Sequence, residues 1–193
     1  MMSLLTKYKR PNAKVHGLII DGVLEPVKKG LYIAGPSLNT SKPESFLLAN
    51  HILGPSYVSM ESALSHYGLI PERVFEIVSM TVKASRKYKT PVGVYTYTRL
   101  PLPYYSFGIQ QKSLTNDQQV MIASPEKALA DKIVTTSAVL FRSKKEVLTY
   151  LVENLRMDES SLKGFNTHEI TSWLSDAPKK DSLSMLIKTI NGL

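Results

Sequence analysis

The stretch SPEKALADKIVTTSAVLF (residues 124–141) contains the clearest helix signal in the chain. Ser124 is typical of a helix N-cap, and Pro125 follows at the first helical position, where the missing N–H costs little. Apolar residues then recur at helical spacing through Ile133. The stretch therefore predicts a helix that begins at Pro125.

Charged residues lie among these apolar positions, and they raise the question of catalysis. Glu126, Lys127, Asp131 and Lys132 superficially resemble the carboxylate and lysine sets of nucleases. Adjacent residues on a helix point in different directions, whereas Lys127 and Asp131 stand at i and i+4 and face each other. We interpret them as a stabilising pair on the helix surface and expect no enzyme activity from this set.

Before this helix the hydrophobic period changes to two, which is typical of strands. Between residues 74 and 124, apolar and polar residues alternate in the segments VFEIVSMTVKA, PVGVYTYTRL, YYSFGIQQ and QQVMIAS. After residue 135 the pattern is helical, with capping pairs at Ser143 and Glu146 and at Asn166 and Glu169. The sequence therefore predicts an α+β fold with a mainly antiparallel sheet and a helical C-terminal region.

The stretch GPSYVSMESALSHYGLIPE (54–72) combines serines with turn residues. Ser59 is a good N-cap for a helix that Gly68 ends, and PESFLLANHIL just before it predicts a buried helix. A nucleophilic serine among Ser56, Ser59 and Ser62 would need a base such as His51 or His66 and an oxyanion site, and the sequence places neither. We interpret the stretch as scaffold.

Residues 10–33, RPNAKVHGLIIDGVLEPVKKGLYI, predict a helix and a hairpin. Asn12 is a candidate N-cap, apolar residues repeat at helical spacing, and Asp21 with Gly22 would end the helix. Two short strands then flank a basic turn around residues 28–30. This order is typical of the second half of a winged helix, but a small helix and hairpin with solvated lysines fits equally well.

The basic residues indicate a polyanionic or acidic partner. The net charge is +8, and about half of it lies in the first 35 residues, which favours phosphate-rich partners. The candidate DNA-binding residues are Lys9, Arg10, Asn12, Lys14, His16, Lys28 and Lys29. A second candidate basic patch contains Lys83, Arg86, Lys87 and Lys89, although a solvated turn between strands is the favoured interpretation of this segment.

Composition narrows the class of protein. Of 193 residues, 43% are hydrophobic and 21% charged, as in ordinary globular chains. No apolar run is long enough to cross a bilayer and the first residues lack a secretory apolar segment, so we expect a cytoplasmic protein. Without cysteine, and with only scattered histidines, we expect no metal and no cofactor.

The polar, turn-rich segment 35–43 predicts a boundary between two parts of the chain. Residues 1–35 would form a small, partial winged-helix-like module that binds DNA. Residues 44–193 would form a second domain, with a mixed α+β core to about residue 135 and helices over 136–193.

Four segments together resemble the AbiEi-type antitoxins and related transcriptional regulators of type IV toxin–antitoxin systems. They are LEPVKKGLYI, LANHILGPSYVSMESALSHYGLIPERV, VSMTVKASRKYKTPVGVYTYTRLP and IASPEKALADKI, within residues 10–135. The resemblance implies an N-terminal winged helix that binds operator DNA in the protein's own promoter, and a second domain required for antitoxicity. It also implies a nucleotidyltransferase-like toxin as the cognate partner.

One departure from the family pattern qualifies DNA binding. The candidate recognition helix begins near residue 11, which leaves no room before it for the further helices of a full winged helix. We therefore expect an abbreviated module, one completed by a second chain or partner, or one that has lost DNA binding. In the last case the basic surface would engage a toxin or another acidic partner as a protein-interaction module.

Overall fold

The computed structural model describes residues 8–72 and 74–193, and these form the α+β fold that the sequence predicts. The helices are α1 (Pro11–Ile20), α2 (Ser45–Ile52), α3 (Met60–His66), α4 (Pro125–Thr135), α5 (Lys144–Leu148), α6 (Glu159–Lys163), α7 (Thr167–Ser172) and α8 (Lys180–Ile190). The strands are β1 (Leu24–Lys28), β2 (Leu31–Ala34), β3 (Ser56–Val58), β4 (Glu76–Thr81), β5 (Arg86–Thr90), β6 (Gly93–Arg99), β7 (Ile109–Ser113) and β8 (Gln119–Ala123).

The strands form one hairpin and one mixed sheet. β1 pairs with β2, and the other strands lie in the order β5-β6-β4-β3-β8-β7. The pairs β3–β4, β5–β6 and β7–β8 are antiparallel, whereas β4–β6 and β3–β8 are parallel. The prediction of a mainly antiparallel sheet is therefore confirmed for most strand pairs. The sequence pattern did not indicate the two parallel pairs.

Three expectations about these strands need correction. The basic segment considered a turn contains β5, because its backbone hydrogen-bonds to β6 while its charged side chains stay exposed. The tripeptide of β3 is absent from the predicted strands, since three residues are too few to display an alternating pattern. In YYSFGIQQ the strand begins only at Ile109, and Tyr104–Ser106 form a 3-10 turn.

The two faces of the sheet carry different elements. Tyr97 of β6 donates a hydrogen bond from its hydroxyl to the Ala49 carbonyl of α2 (2.6 Å). Tyr57 of β3 donates to the Asp131 carboxylate of α4 (2.9 Å). Register places Tyr97 and Val58 on one face and therefore Tyr57 on the other. α2 thus covers one face and α4 the opposite face.

The helices after α4 pack behind it. The Ser143 and Glu146 capping box of α5 forms both of its hydrogen bonds, as predicted, and a π-helical turn (149–154) continues α5. At α7 only half of the predicted box forms, because Asn166 accepts from the Glu169 N–H while the Glu169 carboxylate accepts from Ser124. Among residues 8–72 and 74–193, no helix has both the length and the apolarity to span a membrane.

The pair Lys127 and Asp131 lies in the core, so its predicted surface position is wrong. Both side chains have no exposed area, and Lys127 Nζ lies 3.0 Å from Asp131 Oδ1. The same ammonium donates to the Tyr104 carbonyl (2.8 Å) and sits 3.2 Å from the centroid of that ring. Asp131 Oδ2 accepts hydrogen bonds from the hydroxyls of Tyr57 and Ser59 (2.9 and 2.7 Å). Spacing alone cannot distinguish such a pair from an exposed one.

We expect Asp131→Ala to lower the free energy of unfolding by about 3 to 5 kcal/mol, because it leaves a buried ammonium without its counter-charge. Urea unfolding followed by circular dichroism measures this change. The control is Asp181→Ala, an exposed aspartate in the first turn of α8, for which we expect a loss below about 1 kcal/mol. Equal losses for the two variants would contradict the assigned role.

Alkaline stability should depend on Tyr67, whose hydroxyl donates to the Ala123 carbonyl (2.8 Å). Burial first, and then the carboxylates of Glu126 and Glu169, raise the pKa of Tyr67 from 10.0 to about 12. Between these two values the unfolded chain loses the phenol proton while the folded chain keeps it. The stability from Tyr67 is therefore complete below pH 10.0 and is lost as the pH rises toward about 12.

Tyr67→Phe isolates this effect, since phenylalanine does not ionise. We expect the difference in free energy of unfolding between wild type and variant to shrink as the pH rises from about 9 to about 12. Urea titrations at several pH values within this range provide the measurement. A difference that stays constant with pH would show that the pKa of Tyr67 is not raised.

Candidate nucleic-acid interface

Helix α1 begins at Pro11, two residues earlier than an N-cap at Asn12 would predict. Pro11 occupies the first helical position after Arg10, and no side chain caps this end, so the prediction of Asn12 as N-cap is wrong. The predicted C-terminal end is confirmed: the Asp21 N–H donates to the Gly17 carbonyl (2.9 Å) and Gly22 has φ +68°. Asn12 thus lies inside the first turn, with its side chain exposed.

The candidate residues of α1 lie on two flanks of the helix. Val15 is buried and anchors α1 against the rest of the protein. Asn12 and His16 stand at i and i+4, so they share an exposed flank, while Lys14 lies on the other side of the helix. Lys14 Nζ is 5.8 Å from the ring centroid of Tyr8. Lys14 and His16 therefore do not form one contact face, although both are exposed.

The small residues Ala13 and Gly17 lie beside Asn12 and His16 on the outward flank of α1. A side-chain carbon at Gly17 would meet nothing within 4 Å. This flank therefore has low relief and could approach another macromolecule closely. Lys9 and Arg10 precede it and are exposed.

The hairpin follows α1 and is held by its apolar side. Val27 and Ile33 are buried in the same hydrophobic cluster as the residues of α2. Lys29 and Gly30 form the predicted turn, and Gly30 has φ +84°, which glycine adopts without steric cost. Lys28 is half-buried and Lys29 is exposed. The core thus fixes the hairpin and leaves its basic turn at the surface.

The structure brings this hairpin to the second basic patch. Lys28 Nζ lies 5.5 Å from the ring centroid of Tyr88 in β5, a cation–π distance. Tyr88 also packs edge-on against Tyr97, at 5.8 Å between ring centroids, which orients it on the α2 side of the sheet. Two basic segments more than fifty residues apart in sequence therefore meet at one edge of the sheet.

The residues of the second patch differ in their availability. Lys83 Nζ donates to the Gly54 carbonyl, and Lys87 Nζ forms an ion pair with Glu76 at 2.5 Å. Hydrogen bonds from Lys87 first, and from Thr96, hold the pKa of Glu76 below its usual value, so this carboxylate stays ionised. Arg86 and Lys89 are exposed and form no ion pair within the part of the chain that the structure describes.

Arg99, at the end of β6, is a basic residue that the sequence analysis did not select. Arg86 pairs with Tyr97, so Arg99, two residues further along β6, lies diagonally across from Arg86 on the same face. The alternation of Tyr95, Tyr97 and Arg99 would have indicated this position if β5 had been recognised as the partner of β6.

Several of the groups considered for catalysis have partners inside the protein. Glu126 is buried and accepts a hydrogen bond from the Asn166 N–H (2.8 Å). Ser59, next to α3, donates to Asp131, and Ser62 bonds to the backbone of β4. His66 packs against the rings of Phe46 and Tyr67. None of these contacts forms a serine and histidine pair among the described residues.

Comparison of the chain with models of known protein families finds no match, and neither does comparison with curated proteins. The resemblance of the sequence motifs to a family therefore supports a proposal about function and does not assign the chain to that family. The placement of the basic residues is independent of it.

Proposed function

We propose that the protein is a non-catalytic antitoxin and DNA-binding transcriptional autoregulator of a type IV toxin–antitoxin system. Its partners would be operator DNA in its own promoter and, directly or functionally, a nucleotidyltransferase-like toxin. It would act in the cytoplasm. The observation that carries the proposal is the exposed polar flank of α1, followed by a core-anchored hairpin with Lys28 and Lys29 at its turn.

The two elements suit different tasks on DNA. An α-helix fits the major groove, where asparagine can bond to the edge of adenine, so Asn12 and His16 are the candidates for base contacts. Lys9, Arg10 and Lys14 are better suited to phosphates, as are the hairpin lysines. The low relief around Ala13 and Gly17 would let the helix backbone come close to the groove floor.

The antitoxin part of the proposal rests on the motifs within residues 10–135. In the AbiEi-type family that they resemble, the winged helix represses the operon and the second domain is required for antitoxicity. On this proposal the helix and hairpin of this chain would serve repression. The mixed sheet and the C-terminal helices would serve neutralisation of the toxin.

Lys28→Glu combined with Lys29→Glu should weaken binding to the protein's upstream DNA and to a scrambled duplex alike, because bonds to phosphates carry no sequence information. We expect the slope of log affinity against log salt to fall by about 0.9 for each phosphate that the variant no longer neutralises. Fluorescence anisotropy over a salt series measures both quantities.

The matched control is Lys144→Glu with Lys145→Glu, which reverses the same charge at two exposed lysines of α5. This variant should keep the wild-type salt slope. Unchanged affinity of the Lys28 and Lys29 variant at low salt would rule out binding of DNA by the hairpin.

Asn12→Ala with His16→Ala should instead reduce discrimination. We expect a loss of about 1 to 3 kcal/mol in preference for upstream over scrambled DNA, as for other base contacts, with little change in salt slope. Competition binding with the two duplexes gives this preference. Lys14→Ala, on the other flank of α1, should lower affinity for both duplexes equally. A retained preference in the Asn12 and His16 variant would place base recognition elsewhere.

A protein-interaction module is the second candidate function, and exposed apolar side chains favour it. Ile20 at the end of α1 is 71% exposed and Leu38 in the following turn is 47% exposed. DNA would leave such groups in water, whereas an acidic protein with an apolar patch would cover them. Stable co-purification with the protein encoded next to it, together with no affinity for either duplex, would favour this function over the first.

A further inference from the structure

The edge of the main sheet presents a basic strip on the same face as the hairpin. Side chains alternate between the faces of a strand, so Arg86 and Tyr88 share one face of β5 while Lys87 and Lys89 share the other. The Lys28 contact identifies the Tyr88 face as the hairpin side. Arg99 lies on this face too, diagonally from Arg86.

The carboxylates near this strip are placed so that they do not neutralise it. Glu76 lies on the opposite face, where Lys87 and Thr96 hold it. Glu25 of the hairpin is paired with Lys42 at 3.2 Å. Neither Arg86 nor Arg99 has an ion-pair partner among residues 8–72 and 74–193. Both guanidinium groups are therefore exposed and available.

The strip also has the chemistry that a phosphate backbone requires. Guanidinium groups bind phosphate oxygens through two parallel hydrogen bonds, and arginine is preferred where this geometry matters. The backbone of β5 and β6 fixes the spacing of the two arginines, since both strands belong to the sheet. The Lys28 contact with Tyr88 in turn joins the strip to the hairpin lysines.

We propose that Arg86 and Arg99 form a second phosphate-binding element, which continues from the hairpin along the sheet edge. It would hold the DNA backbone next to the phosphates that Lys28 and Lys29 contact. The inference rests on the proposed DNA-binding function and extends its footprint beyond the helix and hairpin.

The test compares Arg86→Gln with Arg99→Gln against Lys87→Gln with Lys89→Gln, in the full chain. Each double variant removes two positive charges, and Arg86 and Lys87 are neighbours on opposite faces. With upstream and scrambled duplexes, the arginine variant should reduce the salt slope by about 1 to 2, in proportion to the phosphates released. The lysine variant should stay close to wild type. Hydroxyl-radical footprinting should show reduced protection at one end of the site only for the arginine variant.

Thermal melting of each variant separates weaker DNA binding from impaired folding, and these exposed positions should leave the melting temperature within a few degrees of wild type. An arginine variant that keeps its slope, in a protein that still responds to Lys28→Glu with Lys29→Glu, would overturn this inference alone. An equal reduction of the salt slope in the lysine variant would also overturn it, since the effect would then come from the lower net charge and not from the position of the arginines. A wild-type protein that binds neither duplex would overturn the proposed function and the inference together.

Discussion

The buried pair of Lys127 and Asp131 joins α4 to the sheet and to the 104–106 turn, and the rest of the fold is arranged around it. Placing two charges out of water is costly unless each finds a full set of partners. Desolvation lowers the pKa of Lys127 while the charge of Asp131 opposes that change. The ammonium has the Tyr104 carbonyl and ring in addition to the carboxylate, and the carboxylate has two hydroxyl donors. Because these partners come from β3, α4 and the 104–106 turn, the pair fixes three distant parts of the chain at once.

Other parts of the chain pack closely against this buried pair and are positioned by it. Gly108 has φ +62°, and a side-chain carbon there would lie 2.6 Å from Lys127 Cβ, so the turn before β7 approaches α4 as only glycine allows. Trp173 packs edge-on against Tyr104, which connects the C-terminal helices to the same centre. With α4 on one face of the sheet, α2 and the hairpin occupy the other. The basic edge is therefore positioned by the core.

The sequence predicts features that depend on neighbouring residues, such as helix caps and helix ends. It does not predict features that depend on distant residues, such as strand pairing and burial. Capping at Ser124 and Ser143 and the stop at Gly22 depend on a few neighbouring residues, so their positions followed from the pattern. The strand RKYKT has too few apolar residues to look like one, and only its pairing with β6 makes it a strand. The burial of Lys127 follows from what surrounds α4, which no spacing reveals. The approach of Lys28 to Tyr88, and with it the composite surface, likewise required the tertiary structure.

The protein has a net charge of +8, and its basic residues have two different roles. Lys127 is neutralised by Asp131, and Lys179 donates to the carbonyls of Ile133, Thr136 and Val139, so it closes the end of α4. Such cations have their ion-pair or hydrogen-bond partners within the protein. Lys29, Arg86 and Arg99 have no internal counter-charge among the described residues and are exposed at the hairpin turn and on β5 and β6. At moderate salt, screening limits electrostatic attraction to a range of about 10 Å. A phosphate backbone would therefore respond to these surface groups and not to the net charge of the whole protein.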